Sequence, residues 1–520
     1  MPISPRTPSA ATLAALVLVA ACADSPSSPA ADGGGECARL GVEGTYAGDV
    51  SLGRGEALKL AAGKTLCLTL PGSASDAYAL AYVDTRPIEA ARAAQEPATG
   101  DSFRITVGVA GSTLATRLAA AARAPTQPSD VRAWHIAANE AADAANRGTP
   151  WAQGETFELV DALQDEVRPA AVQRVYDGWL VVAAFTDQPE PKLAGMLQNL
   201  DASWPAVRGT GLPLLRKLLG DSLPTTSGGS RQMLVMIRGD LGTLFNAAGV
   251  AISGVDGAHT YSQLALMPYE GAANTEFVGN LLFHEVTHAF QRQYISATRP
   301  AGTPPTEHAG AATWAVEGGA TLMQAELARR LAGVPWASNW DFRSAQNGFQ
   351  GFYTRFALTG PGPFVRGYAK PAGFLRDLAE RRVRRGEAVD DALAAVMRGA
   401  IEGWFGHGPA ATDRAGLAAR MRSSLGGDWE PEDALLTWTL SHAADDRTQS
   451  PTFQDPGFLR AWDSTDPGAW HAAITLGPGS PPTTVAQDRE STGFFELAGG
   501  GTYALGSTVS GVRWMIVHMR

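Results

Sequence analysis

The sequence predicts a multidomain protein: an α+β domain, mostly helical with a small mixed sheet, flanked by N- and C-terminal β-rich modules. Three observations predict this. At 520 residues, the chain is longer than a single hydrophobic core organises, which implies about two to four domains. Both ends alternate short apolar runs with turn residues, the pattern of strands. The middle repeats apolar positions every three or four residues, the pattern of helices. The composition, 45% hydrophobic and 18% charged, is that of a globular chain. A net charge of -10 with no Lys/Arg cluster excludes a general nucleic-acid binder.

Residues 1–21 read as a signal peptide. One early basic residue, Arg6, precedes an apolar run that is too short to span a bilayer but suits a secretory leader. The run ends in "VAAC", Val19 to Cys22. This ending resembles the lipobox of bacterial lipoproteins. The resemblance implies cleavage before Cys22, lipid on its thiol and new amino group, and a membrane attachment in the bacterial cell envelope. Ala23, rather than Asp, after the cysteine fits sorting to the outer membrane. An ordinary signal peptide with a nearby cysteine is the other reading. Residues 22–36, "CADSPSSPAADGGGE", are rich in Ser, Pro and Gly and read as a flexible tether.

The chain has three cysteines. With Cys22 lipidated, Cys37 and Cys67 form an even pair in an oxidising compartment. A disulfide between them closes a loop of about thirty residues and contributes about 3 kcal/mol on the chain-entropy model. Two free thiols are the alternative. Residues 37–110 read as a β-rich module, with "ALKLAAGKTLCLTLPG", "AYALAYVDT" and "SFRITVGVAG" as strands. Residues 111–188 read as an Ala-rich linker helix followed by a small β module. Residues 426–485 read as linker and irregular structure, and 486–520 as a C-terminal β module. "LAAGKT" (Leu60 to Thr65) echoes "LAGGGT" (Leu497 to Thr502), and each precedes a strand. The echo fits two related modules, or one β-sandwich fed by both chain ends, or chance.

Residues 189–425 carry the chemistry. "RQMLVMIRGD" reads as a buried strand and "HTYSQLALMPYEG" as a strand, either ordinary or an edge that accepts a peptide by strand addition. From Asn274 the pattern turns helical, with Asn274 or Thr275 as the candidate cap. Inside this helix lies "LLFHEVTHAF", residues Leu281 to Phe290. Residues four apart share one helix face, so His284 and His288 can hold one metal ion between their imidazoles. Glu285 stands beside that site, where a general base acting on water belongs. A chance H-E-x-x-H is improbable, on the order of one in a hundred for this length and composition. An amphipathic helix with a polar stripe is the competing reading. The uncharged flanks argue against it, because buried imidazoles and a carboxylate are costly without a partner.

A catalytic zinc needs a third protein ligand and one open position. Gln291 and Tyr294 stand where a metzincin extension requires Gly and His. Glu307 and His308 lie in a Pro/Gly-rich loop. Glu317 lies in "WAVEGGAT" on the next predicted helix, among Gly318, Gly319 and Ala320, which allow close helix approach. The pair H-E-x-x-H and W-x-x-E-G-x-A resembles the gluzincin metallopeptidases over residues 284–321.

That resemblance implies a zincin-like domain in which His284, His288 and Glu317 hold Zn2+, Glu285 is the base, and a peptide or protein is the substrate. The G-x-M-E-N motif of classical aminopeptidases is absent. Thr321 stands where thermolysin-type enzymes place an Asp, which leaves Glu326 as one candidate for orienting a ligand histidine. An oxyanion donor is expected from Tyr353, Tyr368, His407 or His442, with Tyr368 in "RGYAKPAGFL" preferred. The alternatives are a catalytically inactive, peptidase-like binding or scaffold lipoprotein, and a self-processing zymogen covered by the segment before residue 189.

Overall fold

The computed structural model of the chain describes residues 47–60, 65–84, 103–109, 150–161, 166–187, 190–225, 232–241, 249–256, 259–298, 313–333, 369–404, 436–440, 475–477, 480, 483–487, 492–507 and 512–519. Helices and sheets combine in several layers, a multidomain α+β architecture. The signal segment, Cys22, Cys37 and the Ala-rich segment after residue 110 lie outside the described residues. Cys67, by contrast, is buried and disulfide-bonded.

The N-terminal strands are β1 (Ala47–Asp49), β2 (Ala57–Leu60), β3 (Thr65–Thr69), β4 (Ala77–Asp84) and β5 (Phe103–Val109). Those of the C-terminal end are β12 (Thr475–Leu476), β13 (Thr483–Gln487), β14 (Thr492–Ala498), β15 (Thr502–Ser507) and β16 (Val512–His518). They do not form two modules. They interleave into two five-stranded sheets, ordered β1-β3-β15-β5-β13 and β12-β14-β4-β16-β2. The separate modules expected at 37–110 and 486–520 are therefore one β-sandwich. β12 and β13 also extend it into the stretch read as linker.

The reason lies in strand alternation. Along β4, Tyr78, Leu80 and Tyr82 enter the sandwich core with Leu68, Leu505 and Trp514. The alternate residues Ala77, Ala79, Ala81 and Val83 are also buried, in the core of the helical body. A strand covered on both faces must sit inside a sheet, and the C-terminal strands β14 and β16 supply its neighbours. The two echoing segments occupy equivalent places. β2 and β3 lie in different sheets, as do β14 and β15, and β3 and β15 pair antiparallel with Thr69 opposite Thr502.

A six-stranded sheet forms the scaffold of the central domain. Its strands are β6 (Thr156–Asp161), β7 (Glu166–Tyr176), β8 (Leu180–Phe185), β9 (Met233–Ile237), β10 (Gly249–Asp256) and β11 (His259–Leu266). The order is β10-β11-β9-β8-β7-β6. The boundary expected at residue 188 therefore cuts through one sheet, because β8 pairs parallel with β9, Leu180 opposite Met233. A parallel pair needs a crossover. Helix α1 (Leu193–Ala206), a π-turn over Val207–Gly211 and helix α2 (Leu212–Leu219) supply it. Pro205 inside α1 removes one ladder hydrogen bond just before the π-turn. "HTYSQLALMPYEG" contains β11, which lies between β10 and β9. Among the described residues it is an interior strand, and β10 and β6 stand at the two edges.

One face of this sheet, with Val182, Val235 and Leu264, packs against the helices. The other face, with Val172, Val181, Leu234 and Ala265, packs against Trp151. The described residues add the helices α3 (Thr275–Thr298), α4 (Thr313–Leu331), α5 (Ala369–Arg384) and α6 (Val389–Trp404). No helix among the described residues is long and apolar enough to cross a membrane.

Candidate metal centre

Helix α3 runs through the middle of the domain, and every residue from Val278 to Gln291 is buried. This explains why apolar residues surround the polar groups of the motif on all sides of the helix. Its N-terminus is held by neighbouring elements. Thr275 Oγ1 donates to Asn199 Oδ1 at 2.8 Å, tying α3 to α1, and Asn274 Nδ2 donates to the Glu270 carbonyl at 2.7 Å. The expected side-chain caps are engaged in these bonds.

Small residues bring the neighbouring helices close. A Cβ at Gly211, at the end of the π-turn, would stand 2.5 Å from the Phe283 ring. One at Gly279 would stand 2.8 Å from Ser203 Cβ on α1. One at Gly319 on α4 would stand 2.7 Å from Gln291 Nε2 and 2.8 Å from Met397 Cε. Gly319 thus lets α4 approach α3 as expected from "WAVEGGAT", and that approach delivers Glu317.

The three expected ligands converge. His284 Nε2 and His288 Nε2 are 3.1 Å apart, and Glu317 Oε2 lies 3.2 Å from each. The imidazoles stand nearly perpendicular, with centroids 4.8 Å apart. Tetrahedral ligands at about 2.0–2.1 Å from a zinc ion stand about 3.3–3.4 Å apart. The observed triangle therefore accommodates an ion after an expansion of a few tenths of an ångström. These three residues can hold a metal ion. They keep a narrow solvent opening, with side-chain exposures of 10%, 8% and 13% for His284, His288 and Glu317.

The three groups are strongly coupled electrostatically. Burial would raise the Glu317 pKa, but His288 and the hydrogen bonds from both imidazoles overrule it and hold the carboxyl far below its usual range. Burial would lower the His288 pKa, but the Glu317 charge and hydrogen bond push it up to about 9. Both shifts favour an imidazolium–carboxylate pair at neutral pH. Glu285 is buried beside them, and loss of solvent raises its pKa against the lowering pull of His284 and His288.

Gln291, which stands where a metzincin requires Gly, braces His288 from one turn further along α3. Its Oε1 lies 2.9 Å from His288 Nδ1, and its Nε2 donates to the Val316 carbonyl at 2.9 Å. It orients one ligand and ties it to the residue preceding another. The available signal was an uncharged polar residue three positions after His288, directly following the apolar pair Ala289 and Phe290. Glu326 does not orient a ligand. It accepts from Arg329 at 2.6 and 2.7 Å and from Arg330 at 2.7 Å. Thr321 Oγ1 is buried with no hydrogen-bond partner among the described residues.

Tyr368 and the other oxyanion candidates Tyr353, His407 and His442 lie outside the described residues, as do Glu307 and His308. No family model, curated protein or solved structure matches the chain. The functional reading therefore rests on the site.

Proposed function

We propose that the protein is a zinc-dependent metallopeptidase of gluzincin type, anchored to the bacterial envelope through lipid on Cys22. The observation that carries the reading is the convergence of His284, His288 and Glu317 at 3.1–3.2 Å, with a buried carboxylate, Glu285, next to them in sequence. Bound zinc supplies Lewis-acid chemistry, polarising water and the scissile carbonyl.

The chain's own residues do the rest. Glu285 accepts a proton from the attacking water and hands it to the departing amine nitrogen. Its desolvated setting raises its basicity and suits it to both transfers. Gln291 keeps Nδ1 of His288 protonated and Nε2 free to ligate. Strand β10 has β11 on one side and is one sheet edge. Its outer backbone groups, which pair with no other described strand, can take an extended peptide as an added strand. α3 packs against β10, so a peptide on that edge lies near Glu285.

The test is Glu285→Gln in the full chain. The variant is expected to bind zinc as the wild type does and to lose hydrolysis of an unfolded casein substrate by at least about a hundredfold. A wild type that binds zinc but cleaves nothing would instead support a peptidase-like binding or scaffold lipoprotein.

A further inference from the structure

We infer that Gly249 is a positioning residue for Glu285: the missing side chain at the start of the edge strand is what admits the Glu285 carboxylate to its seat. This rests on the reading of Glu285 as the base. Glycine is unfavourable in strands and often marks a close approach. Conformation does not explain this one. Gly249 pairs with Leu266 in regular antiparallel register and is not among the described glycines with positive φ.

Space does explain it. A Cβ at residue 249 would stand 2.5 Å from Glu285 Oε1, 3.0 Å from Cδ and 3.1 Å from Cγ. Carbon contacts are ordinarily about 3.5–4.0 Å, so a single methyl cannot coexist with this carboxylate position. Gly211, Gly279 and Gly319 also crowd α3, but they make room for a ring, a serine and an amide. Gly249 makes room for the one group assigned to move a proton. Glu285 is only 4% exposed, so a displaced carboxylate has no open solvent to swing into. Either the carboxylate or the strand must shift, and both change how the base stands to anything laid along β10.

The experiment is a double-mutant cycle on the full-length, zinc-loaded protein with Gly249→Ala, Glu285→Asp and the double variant. Asp withdraws the carboxylate by one methylene and vacates the space. Gly249→Ala alone is expected to lower kcat at least about tenfold, with KM changed less than about twofold and one zinc per chain retained. In the Glu285→Asp background the same substitution is expected to cost less than about twofold. The cycle is read in parallel from urea midpoints, where Gly249→Ala is expected to lower the midpoint only in the Glu285 background. Additive effects in both readouts would overturn the inference while leaving the hydrolase reading intact. If the wild type cleaves no peptide, the hydrolase reading fails. The urea cycle then decides by itself whether Gly249 forms the Glu285 seat: coupling supports it and additivity refutes it.

Discussion

Nδ1 of His288 lies 2.9 Å from Oε1 of Gln291, and the same amide donates through Nε2 to the Val316 carbonyl. One buried side chain therefore sets the tautomer of one metal ligand and the placement of the helix turn that carries another, Glu317. Gln291→Leu is of similar size but removes both bonds. Zinc affinity is expected to fall about 10- to 100-fold, read by competition with a chromophoric chelator. Unchanged affinity would remove Gln291 from the site.

Metal binding should compete with protons. The metal-free His288 pKa is raised to about 9, above its ordinary value of 6.5. Its contribution to stability is thus full below pH 6.5 and is lost as pH rises through about 9. Glu317 is shifted down, so its contribution is present above the ordinary carboxyl pKa and is lost only in strong acid. Metal-free protein is therefore expected to lose stability between pH 6.5 and about 9, while zinc-loaded protein does not. Calorimetry in buffers of different ionisation enthalpy is expected to show about one proton released per zinc near neutrality.

Gly319→Ala sets two effects against each other. Ala favours a helix interior by about 1 kcal/mol. Overpacking against Gln291 and Met397, at 2.7 and 2.8 Å, costs about 1–3 kcal/mol. Net destabilisation is expected in denaturant unfolding, with weaker zinc binding because Gln291 and Glu317 move together.

The β-sandwich predicts interdependence of the chain ends. β4 pairs with β14 on one side and β16 on the other. A fragment of residues 37–110 is expected to be unfolded alone by circular dichroism and to gain strand signal when residues 471–520 are added. Independent folding of the fragment would contradict the interleaved topology.

How much of this was legible in the sequence follows from the range of each signal. His284, Glu285 and His288 lie on one helix, where spacing alone puts them on a face. Glu317 was legible through Gly319, whose smallness reports helix approach. Strands β9 and β11 were legible from local pattern. Pairing was not. Thr69 and Thr502 face each other across 433 residues, and the echo of LAAGKT and LAGGGT hinted at a shared sandwich without fixing which strands pair. For the same reason β6, β7 and β8 read as a separate module, since a parallel partner such as β9 is recognisable only once the crossover is folded. The edge strand β10, "GVAISGVD", was passed over because its glycines weaken the strand signal, and Gly249 is one of them.

The central claim is that His284, His288 and Glu317 together hold one catalytic metal ion. Its most direct test is zinc content per chain, by elemental analysis after dialysis, for the wild type and for His284→Ala, His288→Ala and Glu317→Ala, each checked for folding by circular dichroism. The account predicts about one zinc in the wild type and a loss of at least about tenfold in affinity in every folded variant. A wild type without zinc, or folded variants that retain it at wild-type affinity, would contradict it.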